Sequence, residues 1–208
     1  MDRKTHWETV YRTRRPTEVS WYQAEANLSV RIIQARVPDH EASIIDVGGG
    51  ASVLASQLDD LGYHKLTVLD LSEAAIGAAH EMLGSRASRI NWVAADILDA
   101  TLGMGAFRFW HDRAAFHFLT EPSARATYVA QVRRAVAPGG YVLVATFAED
   151  GPPRCSGLEV VRYSPGTLHA EFGPGFEYVA AHREEHHTPM GGVQAFTYCL
   201  CRRVDAAA

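Results

Sequence analysis

The sequence predicts an α/β fold, a mostly parallel sheet with helices on both faces, and three observations carry the prediction. The run Ile44-Ile45-Asp46-Val47-Gly48-Gly49-Gly50-Ala51-Ser52 is followed, a helix's length later, by Leu66-Thr67-Val68-Leu69-Asp70. This reads as strand, glycine turn, helix, strand and acid, a βαβ unit that binds its ligand across the carboxyl ends of its strands. Short apolar runs then alternate with stretches of helical spacing, and the last two apolar runs alternate as antiparallel strands do.

Taken in order, residues 1–39 form an N-terminal helical segment dense in aromatic side chains, Trp7, Tyr11, Trp21 and Tyr22, interleaved with Arg12, Arg14 and Arg15. A stripe of this kind packs its rings on the sheet while its arginines face water. Residues 40–99 hold the βαβ unit, a helix over Glu73–Leu83 with apolar spacing at Ala75, Ile76, Ala79, Met82 and Leu83, and a third strand, Ile90-Asn91-Trp92-Val93, leading to Asp96. Residues 100–208 begin with a fourth strand, Phe107-Arg108-Phe109-Trp110, and a helix over 123–136. Pro138-Gly139-Gly140 reads as a turn into the strand Tyr141-Val142-Leu143-Val144-Ala145. Residues 149–157 are turn-rich, 157–163 form an insert, and 176–180 and 194–201 pair as a hairpin closed near Pro189-Met190-Gly191-Gly192. Residues 205–208 read as a tail.

At 208 residues the chain is expected to be a single domain. A net charge of -4 gives no electrostatic case for a nucleic-acid partner. No stretch has the apolar length of a membrane span, and Met1-Asp2-Arg3-Lys4-Thr5-His6-Trp7 lacks the core of a signal peptide, so a cytoplasmic location is expected. Three cysteines in such a chain are expected to be free thiols, and neither they nor His182, His186 and His187 have the spacing of a metal site. No feature of the sequence assigns an oligomeric state.

The glycine turn departs from the dinucleotide fingerprint. Read as G-x-G-x-x-G from Gly48, the third glycine position falls on Val53, and Asp46 stands two residues before the first. A carboxylate there is awkward for a pyrophosphate at a helix N-terminus and suits a cofactor with a cationic end. In these residues the chain resembles the class I S-adenosylmethionine (SAM)-dependent methyltransferases of small single-domain type, whose first motif is acid, any residue, glycine, any residue, glycine. Asp46, Gly48 and Gly50 match it, with Ser52 in place of the usual third glycine. The resemblance implies SAM as cofactor, S-adenosylhomocysteine (SAH) as product, and a Rossmann-like seven-stranded sheet of order 3-2-1-4-5-7-6 with an antiparallel last strand. It assigns cofactor contacts to Asp46, Gly48, Gly49, Gly50, Asp70, Leu71, Asp96 and Ile97, the acid of the third strand taking the adenine amine. The W-E-x-x-Y and V-S-W-Y-Q stretches resemble the lid of that type, including relatives that methylate lysine on an elongation factor, with Trp21 as the lid contact.

Chemistry is expected at the end of the fourth strand. His111 is placed as general base, Asp112 as the group orienting it or an incoming amine, and Arg113 and His117 on the substrate, with Cys155 and Arg162 at the pocket mouth. The acceptor is a small molecule or an accessible protein side chain. An amine or alcohol needs a base, whereas a thiolate, selenide or trivalent arsenic already presents its lone pair. Two other readings remain: a nucleotide-binding oxidoreductase, disfavoured by Val53 and by the lack of a Tyr-x-x-x-Lys pair, and a silent partner subunit, disfavoured by the intact acids Asp46, Asp70 and Asp96.

Overall fold

The structure is a computed structural model describing residues 2–204, so the expected tail at 205–208 lies outside it. The helices are α1 (Arg3–Thr13), α2 (Asn27–Arg36), α3 (Leu54–Asp60), α4 (Glu73–Leu83), α5 (Pro122–Ala135) and α6 (Pro165–Phe172). The strands are β1 (Ile44–Val47), β2 (Leu66–Asp70), β3 (Asn91–Ala94), β4 (Phe107–Arg113), β5 (Val136–Phe147), β6 (Arg154–Cys155), β7 (Leu158–Glu159), β8 (Phe176–His187) and β9 (Val193–Arg203). Seven of them form one sheet of order β3-β2-β1-β4-β5-β9-β8, parallel up to β5 and antiparallel beyond. With the small β6-β7 hairpin counted apart, this is the expected order 3-2-1-4-5-7-6.

Two elements differ from expectation. The fourth strand runs on through His111, Asp112 and Arg113, because their polar groups find partners inside the fold and satisfied polar groups can be buried. Pro138-Gly139-Gly140 lies within β5, at a shift in the β4-β5 register between Phe107 and Phe109, with Gly139 at φ 72°. The three residues make a bend in a continuous strand, since glycine takes the left-handed conformation without steric cost.

Successive residues of a strand face opposite sides of a sheet, and β4 shows it. Phe109 joins Leu143, Phe147 and Ile33 on one face, while Trp110 joins Tyr128, Val132 and Phe116 on the other. By the same alternation His111 points toward α2 and Asp112 toward α5, where each finds its hydrogen bonds.

α1 splits its two faces. Trp7 and Tyr11, four residues apart, turn their rings to the cleft above the strand ends, and Glu8 turns the other way. Glu8 Oε1 accepts from the amides of Glu73 and Ala74 at 2.6 and 3.3 Å, capping α4 from outside its own chain segment. Glu8→Ala is therefore expected to cost about 1 kcal/mol and lower the melting temperature by roughly 2–4 °C. Limited proteolysis should cut the N-terminal segment faster in that variant; an unchanged melt and digestion pattern would refute the tether.

Candidate functional site

Where β1, β2 and β4 end, α1 and residues 14–26 close over a cleft of about 780 Å³. Asp70, Leu71, Asp96 and Ile97 line one end, and Trp7, Phe118 and Cys155 also line it. A second chamber of about 580 Å³, lined by Asp46, Ser29, His111 and the glycine turn, adjoins it. Tyr11, Trp21, Gly48 and Arg113 border both.

Asp46 is only 4% exposed. Its Oδ1 lies 2.7 Å from His111 Nδ1, and His111 Nε2 lies 2.8 Å from Ser29 Oγ on α2. A carboxylate only accepts, so Nδ1–H donates to Asp46 and Nε2 accepts the Ser29 hydroxyl. The other oxygen, Oδ2, is buried without a partner among the described residues. A buried carboxylate oxygen left unpaired is costly, and a cationic group in the chamber would satisfy it. The ammonium of SAM fits that requirement.

The glycines are fixed by the acids. A Cβ on Gly49 would lie 2.2 Å from Asp46 Oδ2, and one on Gly50 would lie 2.7 Å from Asp70 Oδ2 and 2.6 Å from Ala75 Cβ. Gly48 sits at φ 71°, a conformation open to glycine. Asp70 accepts from the Gly50 amide at 3.0 Å and the Ser72 amide at 2.8 Å. Burial nevertheless pushes its carboxyl up to about 6. Asp96 faces the same end, and its Oδ2 is bridged by Arg3 at 2.6 Å while Oδ1 accepts from the Leu98 amide. Arg3 from α1 thus closes the end at which an adenine amine is expected.

Several expected roles change. His111 is held between Asp46 and Ser29 on the wall of the second chamber, where it positions the Asp46 carboxylate. Asp112 does not orient His111. It lies on the opposite face and accepts from the amides of Ala115 and Phe116 and from the Tyr128 hydroxyl, holding the turn after β4; burial pushes its carboxyl up to about 6. Arg113 lines the cleft with its charge already paired inside the fold. It donates to Tyr198 Oη, the Trp21 carbonyl and Glu184 Oε2, and lies 4.1 Å over the Phe196 ring. His117 is a core residue accepting from the Phe147 amide, and burial holds it down to about 3. Arg162 is exposed and donates to the Gly151 carbonyl away from the cleft. Cys155 does line the cleft, its thiol pushed up to about 12 by burial.

Ser29 and Arg3 had no sequence signal as site residues, and Glu8, Ser20 and Gln23 entered only as members of the lid-like stretches, without their partners. His186 Nε2 donates to the Ser20 carbonyl at 2.8 Å and Gln23 donates to Glu184 at 3.1 Å, clasping the strap at residues 14–26. Only the four-residue spacing of Trp7 and Tyr11 around Glu8 pointed to a helix with two working faces.

Residues 44–140 match the family described as "Methyltransferase domain". Among curated proteins, the eEF1A lysine and N-terminal methyltransferase of Danio rerio is 24% identical over 148 residues, 70% of this chain and 21% of that protein. EEF1A lysine methyltransferase 2 of Homo sapiens is 24% identical over 157 residues, 69% of this chain and 66% of its own length. The chain therefore spans about a fifth of the first of these relatives. A solved structure described as "Conversion of a Disulfide Bond into a Thioacetal Group during Echinomycin Biosynthesis" superposes with a TM-score of 0.80 at 20% identity, covering 100% of this chain and 94% of its own. The Burkholderia thailandensis 1,6-didemethyltoxoflavin-N1-methyltransferase, solved with 1,6-didemethyltoxoflavin and SAH, gives 0.74 at 21% identity, covering 97% and 87%.

Two outcomes are expected from this geometry. Asp70 must be ionised to accept strongly from hydroxyls, and its folded value lies above the ordinary carboxylate range. SAH affinity should therefore fall about tenfold from pH 7 to pH 5. Over that window the folded state holds the Asp70 proton more tightly than the unfolded chain, so this group costs no stability as pH falls. Calorimetry across pH should show a flat, weak response in Asp70→Asn; the wild-type slope surviving in that variant would assign it elsewhere. For His111→Ala, SAH should bind roughly tenfold more weakly as Asp46 loses its charge-assisted partner. 5′-Methylthioadenosine, which lacks the amino-acid end, should bind unchanged, and equal losses for both would mean a general collapse of the site.

Proposed function

We propose that this chain, which carries a class I SAM-dependent methyltransferase domain, transfers a methyl group from SAM to a small acceptor enclosed beneath its N-terminal segment. The observation that carries the reading is the cleft itself. A buried acid faces it from the end of β1 and another from the end of β2, glycines without room for a Cβ lie between them, and aromatic rings cover the middle.

When bound, SAM supplies an electrophilic methyl: the acceptor's lone pair forms the new bond to carbon as the carbon–sulfur bond breaks and its pair stays on sulfur. The chain's own groups do the rest. Asp46, oriented by His111 and Ser29, would hold the ammonium, while Asp70 would accept from the ribose hydroxyls. Asp96 would take the adenine amine once Arg3 yields its Oδ2. Trp21 and α1 exclude water from the reacting atoms.

Closure supports a small acceptor. Arg113 and His186 clasp the Trp21 and Ser20 carbonyls, Gln23 donates to Glu184, and Glu8 and Arg3 tie α1 to α4 and Asp96, so the cover is fastened around its rim. The names of the curated relatives favour a second reading, a lysine side chain of a protein. Calorimetry with SAH, SAM and NAD should give binding of the first two and none of the third. Transfer of labelled methyl to a small-molecule extract, against a protein extract, separates the two acceptors. Binding of NAD in preference to SAH would overturn the assignment.

A further inference from the structure

The acceptor end of the cleft is apolar, aromatic and chemically quiet. Trp7 stands edge to face against Phe118 at 4.9 Å and against Trp21 at 5.5 Å, with Tyr11 6.3 Å from Trp21. The cleft's charged side chains stand apart from these rings: Arg3, Asp96 and Asp70 lie at the cofactor end, and Arg113 is ion-paired to Glu184 while also donating to Tyr198 and the Trp21 carbonyl. Among the described residues no histidine lines this cleft. His111 lines the adjoining chamber, His117 is sealed in the core, and His6 contacts Ser156 at 3.3 Å. Burial keeps the Cys155 thiol and the Tyr11 hydroxyl protonated. Tyr11 Oη accepts from Trp21 Nε1 at 3.3 Å, and among the described residues its own hydrogen has no acceptor.

We propose that the acceptor is a small uncharged aromatic or heteroaromatic molecule that attacks through a lone pair already free at neutral pH, a pyridine-type ring nitrogen or a divalent sulfur. The inference rests on the methyltransferase reading and names the substrate class of the same site. An ammonium entering among these rings would lie away from the acids, which face the cofactor end, and a carboxylate would compete with Glu184 for Arg113. A flat uncharged ring meets aromatic edges and faces that match its own, with the Tyr11 hydroxyl able to donate to a heteroatom. The transfer then needs no proton removed. The acceptor's pair forms the carbon–nitrogen or carbon–sulfur bond, the sulfonium bond breaks with its pair on sulfur, and the single positive charge passes to the methylated product. Aromatic walls favour that cation before and after transfer.

The test uses the full chain with SAM and a panel of quinoline, thioanisole, phenol, benzoate and a lysine-containing peptide, each product identified by mass. Quinoline or thioanisole should be methylated, at a rate that stays level from pH 7 to 9, and the other three at least 100-fold more slowly. Trp7→Ala should raise the acceptor's KM roughly tenfold and Trp7→Phe less, with SAH affinity by calorimetry within twofold in both. Peptide, phenol or benzoate turned over as fast as the ring acceptors would overturn the proposal, as would a rate climbing with pH. A chain that binds SAH and methylates no member of the panel overturns it too. Failure to bind SAH at all would instead sink the cofactor reading on which it stands.

Discussion

The site depends on a carboxylate buried with one partner too few. Removing Asp46 from water costs several kcal/mol, which a single hydrogen bond from His111 offsets only in part. The rest of that end of the fold is shaped by keeping the carboxylate where it is. Gly49 has no room for a Cβ because Asp46 Oδ2 occupies that space. His111 gives up its chemistry to hold Oδ1, and Ser29 holds His111 because α2 packs Ile32 and Ile33 into the same core as Ile44. Oδ2 has no partner among the described residues, and an unpaired buried carboxylate oxygen favours a cation over the phosphate a similar turn would otherwise attract.

The frame was legible because its signals are local. Ile44–Val47, the glycine turn and Leu66–Asp70 declare strand, turn and strand within a few residues of one another, and Glu73–Leu83 carries its helical spacing openly. The end of β4 was harder to read, since His111-Asp112-Arg113 resembles a catalytic loop in sequence. The resemblance fails because the partners that use up those side chains lie far away along the chain: Ser29, Asp46 and Tyr128, then Glu184 and Tyr198. Polar density marks a functional site only when the polar groups are left unsatisfied. By that measure Asp46 was the informative residue of the site, and Asp112 the ordinary one.

The N-terminal segment applies the same logic to the cover. Polar contacts fasten its rims, Glu8 on the α4 amides, Arg3 on Asp96, and Arg113, Glu184 and His186 on the strap, while Val10, Val19 and Ala26 are buried beneath it. Its centre is aromatic. Arg113 belongs to both parts, lining the cleft and donating to the Trp21 carbonyl of the cover.

A cation's charge has to be accounted for at every point of this cleft. The acids stand at its ends, with Asp46 and Asp70 on either side of the glycine turn, and the middle holds rings, small alanines and a neutral thiol. Had the middle carried a base, an acceptor could arrive protonated and leave neutral, and the site would then have to return a proton to water through a closed cover. In the transfer proposed above no proton has to leave, so covering the cleft adds no proton traffic. An aromatic lining and the lack of a histidine among the described residues of this cleft therefore favour the same kind of transfer.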